Sequence, residues 1–135
     1  MAFPGTYNFD YYRGDTFKFV VSPKNSNGTA MNLSTYKGTG RDAIFTIADQ
    51  RGDSPTIKLA SDVKYPDPIT GNFPLEAAIN TTNNTITCTI KPVGGRYLEG
   101  GTTYYYDVEI YNGADLRYTL LTGTITVEND ITGAS

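Results

Sequence analysis

Tyr104-Tyr105-Tyr106-Asp107-Val108-Glu109-Ile110-Tyr111-Asn112-Gly113-Ala114-Asp115-Leu116-Arg117-Tyr118-Thr119-Leu120-Leu121-Thr122-Gly123-Thr124-Ile125-Thr126-Val127-Glu128 is the stretch whose reading decides the fold. Side chains along a strand point alternately to its two faces. Tyr104, Tyr106, Val108 and Ile110 therefore share one face, and Tyr105, Asp107, Glu109 and Tyr111 the other. Asn112-Gly113 supplies the reversal, because both residues tolerate the positive φ that tight hairpins need. In the second strand Leu116, Tyr118 and Leu120 hold even positions, whereas Leu121, Ile125 and Val127 hold odd ones. One inserted residue near Leu120-Leu121 reconciles the two phases and predicts a β-bulge or a sheet-switching bend there.

The same period of two recurs upstream, and no window keeps an apolar i, i+3, i+4, i+7 pattern. Thr6 to Tyr12 places Tyr7, Phe9 and Tyr11 on one face, and Thr16 to Ser22 turns Phe17, Phe19 and Val21 inward. Arg13-Gly14-Asp15 between them reads as a turn, with glycine free to take positive φ. Asn27-Gly28 is a second reversal, and Met31 to Thr35 a short extended connection. Further strands are expected at Arg41 to Ala48, Thr56 to Ala60 and Asn84 to Lys91, the last with Ile86, Cys88 and Ile90 on one face. Residues 61–83, with Pro66, Pro68, Gly71 and Pro74, read as an irregular, exposed excursion. Pro92 to Gly101 is a glycine-rich connection with room for one helical turn, and residues 132–135 read as a flexible tail. Seven to eight antiparallel strands with turns between them make an immunoglobulin-like β-sandwich the expected all-β fold, with residues 1–135 as a single domain.

The composition bounds what such a fold can do. The chain has 135 residues, enough for one core without disulfides, and carries 11 Tyr and 6 Phe but no Trp. Its net charge of −3 and scattered basic residues argue against nucleic acid as a partner. Neither a signal-peptide pattern nor a membrane-length apolar run is visible, so membrane association is not expected and synthesis in the cytoplasm is. The single cysteine, Cys88, cannot close an intrachain disulfide and reads as a buried small hydrophobe.

Chemistry-bearing side chains are sparse. With no histidine, nucleophilic triads that need an imidazole are ruled out. Asp107, Glu109, Asp115 and Glu128 fall at outward or turn positions with nothing evident to raise a pKa, which argues against paired-carboxylate catalysis. Zinc lacks its usual ligands, and Asp49 with Asp53, or Asp62 with Asp67, lack the ligand density of a calcium loop. No catalytic residue, cofactor or metal is expected. Arg-Gly-Asp occurs at residues 13–15 and 51–53, where turn chemistry explains it without adhesion. The tyrosines are left as interface candidates, since Tyr is enriched where proteins meet. Tyr105, Tyr111 and Tyr118 on the hairpin, with Tyr65 and Phe73 in the irregular stretch, are the contact residues expected.

Several segments, in order, carry a resemblance. They are Tyr12-Arg-Gly-Asp-Thr-Phe-Lys-Phe19, Asn27-Gly28 to Tyr36, Ala43-Ile-Phe-Thr-Ile47, Tyr105-Tyr-Asp-Val-Glu-Ile110, and Leu121-Thr-Gly-Thr-Ile-Thr-Val-Glu128 running on to Ile131. Together they resemble the small Ig-like domain of tailed-bacteriophage virion proteins, typified by the N-terminal domain of upper baseplate proteins of lactococcal-type phages. That family shows a Gly-Asp-Thr opening strand and a Tyr-Tyr-Asp-[Leu/Val]-[Glu/Gln] strand paired with Leu-x-Gly-x-[Ile/Val]-x-Val. The resemblance implies a non-enzymatic structural protein of the virion that docks onto other subunits in the tail or baseplate, in multiple copies or as a homo-oligomer. Decoration of the capsid is the alternative, and a carbohydrate-binding host-adhesion module a second one, which predicts a concave aromatic patch beside amides and carboxylates. Longer members continue into receptor-binding regions; with this chain ending at Ser135, none is expected here.

Overall fold

The structure is a computed structural model that describes residues 5–36, 43–52, 55, 58–62, 73–111 and 117–129. Among these residues are nine strands: β1 (Gly5–Thr6), β2 (Phe9–Tyr12), β3 (Phe17–Val21), β4 (Ala43–Ala48), β5 (Lys58–Ala60), β6 (Leu75–Asn80), β7 (Thr85–Ile90), β8 (Thr102–Tyr111) and β9 (Arg117–Glu128). One short helix, α1 (Pro92–Gly95), joins β7 to β8.

Two sheets face each other. The larger has the order β1-β9-β8-β4-β5, with β2 also on β9, and the smaller has the order β3-β7-β6. Their inner faces share one core, to which Phe45, Val108 and Ile125 contribute from the large sheet and Ile86, Cys88 and Ile90 from the small one. Phe19 meets Phe45 edge-on across the gap, with ring centroids 5.3 Å apart. Each side chain of this size removes about 1.5–3 kcal/mol worth of apolar surface from water, which is why the period-two pattern dictates the sandwich.

The all-β expectation holds, though the described residues form nine strands where seven to eight were expected, because Thr6 to Tyr12 divides into β1 and β2 and β6 is added. There are three further differences. First, the strands are not all antiparallel: Phe9 pairs with Ile125 and Tyr11 with Val127 in a parallel ladder, so the N-terminal segment lies on the outer side of β9. Second, part of the stretch at 61–83 is ordered sheet: Leu75 to Asn80 forms β6, pairing Leu75 with Ile90 and Ile79 with Ile86. Leu75 and Ile79 bury themselves in the core, a short pattern that the surrounding prolines disguised. Residues 63–72 lie outside the described residues, as do the tail at 132–135 and Asn112-Gly113. Third, Met31 and Leu33 are core residues although their segment forms no strand.

The bulge is where the sequence phase requires it. Val108 pairs with Leu121 and Glu109 with Thr119, so Leu120 is the extra residue on β9. It is buried in the core, as Ile125 and Val127 are after it.

The ends of the sandwich are tied by specific contacts. Arg13 donates from Nε to the Leu98 carbonyl and from Nη2 to the Arg96 carbonyl, both at 2.7 Å. The Tyr104 hydroxyl, at the start of β8, accepts the Glu99 backbone N–H at 2.8 Å. Gly94 and Gly95 in α1 leave room for what packs on them: a Cβ would overlap the Pro74 carbonyl at the first and the Tyr11 hydroxyl at the second.

Candidate functional site

The outward face of β8 forms the floor of a groove of about 380 Å³. Three cross-strand rows cross this face: Ala48, Tyr105 and Thr124; Thr46, Asp107 and Thr122; and Ile44, Glu109 and Thr119. Of these Ala48, Thr46, Tyr105, Asp107 and Glu109 line the groove. On the β4 side the small Thr46 and Ala48 stand beside Asp107 and Tyr105, and the groove lies over them. Gln50, Arg51 and Lys58 line one side and Arg117 another.

Two arginine–tyrosine pairs dominate its electrostatics. The Arg51 guanidinium carbon lies 4.9 Å from the Tyr105 ring centroid, and that of Arg117 lies 4.5 Å from the Tyr111 ring centroid. Arg117 also pairs with Glu109 at 3.6 Å, an exposed ion pair worth well under about 1 kcal/mol to stability. Its effect is geometric, holding the guanidinium over the ring. Each cation–π contact adds roughly 0.5–1 kcal/mol at such half-exposed positions.

Asp107 sits half-buried at the centre of the floor. Burial, and then the neighbouring Glu109 carboxylate, push its carboxyl above the ordinary 3.8, while Arg51 and Lys58 pull it back. This corrects the expectation that nothing raises a carboxylate pKa on this face: Asp107 is half-buried and lies near a second carboxylate, Glu109, and its burial is not revealed by alternation alone. Among the described residues no group of three or more His, Cys, Asp or Glu side chains is arranged to hold a metal ion.

The five expected contact residues do not form one site. Tyr105 lines the groove and is half-buried. Tyr111 lies on the same face of β8 but is buried, in a small cluster with Ile44 and Ala60 and beneath Arg117. This corrects the expectation of an exposed Tyr111: on the outward face it still packs with Ile44 and Ala60 and is 7% exposed. Tyr118 pairs with Ile110 and packs against the main core, so it belongs to the inner face and not to the groove. Phe73 is 37% exposed just before β6, away from the groove, and Tyr65 lies outside the described residues.

Sequence reasoning passed over Arg51 and Arg117. Arg117 had a signal: it is the first residue of its strand opposite Tyr111, and a cation facing an aromatic across an antiparallel pair is a favourable neighbour. Arg51 had none, because a loop brings it to Tyr105. As for the two Arg-Gly-Asp triplets, the first is a turn, with Gly14 at φ 88° and the Asp15 N–H bonded to the Tyr12 carbonyl, and its arginine is committed to Leu98 and Arg96. In the second, Asp53 lies outside the described residues.

No protein-family model matches the chain, and no curated protein matches it in sequence.

Proposed function

We propose that this chain is an immunoglobulin-like, non-enzymatic structural protein of a tailed-phage virion, which docks onto neighbouring subunits through the outer face of its large sheet. The observation that carries the reading is the gathering of the resembling segments. Ala43 to Ile47, Tyr105 to Ile110 and Leu121 to Glu128 are dispersed in sequence yet fall on β4, β8 and β9, neighbours in one sheet, while Tyr12 to Phe19 leads from β2 at the edge of that sheet into β3 of the other. The strand orders add support. β3-β7-β6 and β9-β8-β4-β5 follow, in chain order, the B-E-D and G-F-C-C′ arrangement of immunoglobulin sandwiches. The Tyr104 hydroxyl reaching back to the Glu99 backbone at the start of β8 corresponds to the tyrosine corner of that fold. Tyr105, Arg51 and Arg117 on the outer face are of the residue types that anchor protein interfaces.

Mass spectrometry of purified particles tests the assignment. The chain should co-purify with virions at constant stoichiometry. A small multiple of three or six copies places it in the tail or baseplate, and on the order of hundreds places it on the capsid. Its loss from particles during purification would end the reading.

One observation favours the carbohydrate reading. The groove sets the Tyr105 ring beside the Gln50 amide and the Asp107 and Glu109 carboxylates, the concave polar patch that a saccharide site needs. Against it, Arg51 already covers a face of that ring. Saccharide binding by the isolated chain across a glycan panel, lost in Tyr105→Ala, would favour adhesion over docking.

A further inference from the structure

The four edges of the two sheets are not equally protected. β5 is three residues long and carries the exposed Lys58. The N-terminal edge is broken into the short β1 and β2, and β6 carries the exposed Glu76. These are the usual devices against strand addition. β3, Phe17 to Val21, likewise pairs on one side only, with β7, and carries one exposed charge, Lys18; it differs from β6 in setting the exposed Val20, not polar residues such as Glu76 and Asn80, along its open edge. Among the described residues no other backbone hydrogen bond reaches Phe17 to Val21.

An apolar strip runs beside this open edge. Val20 is 60% exposed and Tyr7 43%, and together with Phe19, Val21 and Leu121 they line a groove of about 360 Å³ between the edges of the two sheets. In sandwich sheets of B-E-D order the place beside the first of these strands is filled by an N-terminal strand. Here residues 5–12 lie along β9 instead.

We propose that β3 is a self-association edge, and that its occupant is β3 of a second copy of this chain, antiparallel about a two-fold axis beside Phe19. Strand length and charge together select this register: only a centre at Phe19 pairs all five residues of β3 with those of a second copy. Pairing Phe19 with Phe19 of the second copy sets Lys18 against the second copy's Val20, and Phe17 against its Val21. The one charged side chain of each strand then lies along an apolar partner, with no like charge directly opposite. A register centred on Lys18 would oppose two ammonium groups. An isologous contact of this kind satisfies the open backbone edges of both copies at once and closes without propagating. The result is a continuous six-stranded sheet in the order β6-β7-β3 and then β3-β7-β6 of the second copy, with both Tyr7 rings and both Phe19 rings drawn into the join. The inference stands apart from the virion reading, because association of the purified chain is measured whether or not particles contain it.

Sedimentation velocity of the full chain over a wide concentration range tests it. Wild type should show a reversible monomer–dimer equilibrium. Val20→Lys places an ammonium opposite Lys18 of the other copy and should weaken the dimer at least about tenfold, while far-UV circular dichroism stays unchanged because Val20 is exposed. Adding Lys18→Glu to that variant sets a carboxylate at position 18 opposite the new ammonium at position 20 of the other copy. It should restore the wild-type constant to within a few-fold, a rescue specific to this register. A wild-type chain that stays monomeric throughout would overturn the proposal. So would a dimer indifferent to Val20→Lys, or one that the double variant fails to restore.

Discussion

The Tyr106 hydroxyl donates to the Tyr7 carbonyl oxygen at 2.6 Å, joining residues 99 apart in the chain, and it does so across Gly123. Gly123 is the residue opposite Tyr106 in the β8–β9 ladder. A Cβ there would overlap the Tyr7 carbonyl and press on the Tyr106 ring. The glycine of the Leu121-Thr-Gly-Thr-Ile-Thr-Val127 segment is thus dictated by packing: the aromatic ring covers it and carries a hydrogen bond to the N-terminal segment. Burial raises the Tyr106 phenol above its ordinary 10.0, so the donor keeps its proton through the physiological range.

Gly123→Ala should therefore cost about 2–4 kcal/mol, in the range of substitutions that force a backbone shift. Tyr106→Phe keeps the ring and removes only the donor, and should cost about 1 kcal/mol. Urea midpoints with unchanged slopes check both values. Equal costs would mean that the glycine is not held by this contact.

The Arg13 fork predicts a difference between two cations. Nε and Nη2 donate to two carbonyls in different directions, Leu98 and Arg96, and so pin the β2–β3 turn to the connection after α1. Lysine has one flexible ammonium and cannot reproduce a planar fork. Arg13→Lys should lose about 1–2 kcal/mol, most of what Arg13→Ala loses. Full retention of stability by the lysine variant would reduce Arg13 to a point charge.

These two contacts also mark what could be read in advance. The alternation of Tyr104 to Ile110, and the phase break at Leu120-Leu121, are local patterns that a core on one face imposes, so strands and bulge were legible. Long-range geometry was not. That the N-terminal strand runs parallel to β9, that Arg51 reaches Tyr105, and that Tyr111 lies beneath Arg117 all depend on which elements meet in space. Leu33 was hidden for a related reason: it is fully buried from a segment without strand periodicity, held by the Asn84 side chain accepting its N–H at 3.1 Å.

Thr89 predicts a stabilising change. It is 4% exposed on β7, and its hydroxyl has no hydrogen-bond partner among the described residues. A buried unpaired hydroxyl costs roughly 1–3 kcal/mol, and valine has the same branched shape without it. Thr89→Val should raise the urea midpoint by the equivalent of about 1 kcal/mol. A fall in the midpoint would show that the hydroxyl is satisfied.

Asp107 predicts a pH dependence with a definite sign. Its carboxyl ionises near 3.8 in the unfolded chain and at higher pH in the folded one, because burial and then Glu109 disfavour the charge. Between those values the folded state binds more protons than the unfolded state, so the contribution of Asp107 to stability is full below the unfolded value. It is lost as pH rises through the folded value. Asp107→Asn removes the titration. Its Tm relative to wild type should increase with pH across the acid range and level off towards neutrality, and a difference that is flat with pH would refute the assignment.

Cys88 offers a probe of whether the two sheets come apart together. Its side chain is fully buried between them, and burial pushes the thiol up to about 12 from 9.0. Alkylation needs the thiolate and access to it, so iodoacetamide should modify the folded chain at least about a thousandfold more slowly than a free thiol. Because Cys88 pairs with Phe19 on one side and Ala77 on the other, it becomes accessible only when the small sheet separates from the large one. Pulsed alkylation along a denaturant series should then follow the same transition as far-UV circular dichroism, the coincidence expected of a two-state domain. Labelling that precedes the loss of strand signal would instead mean that the sheets part before they unfold, and that the shared core is not one cooperative unit.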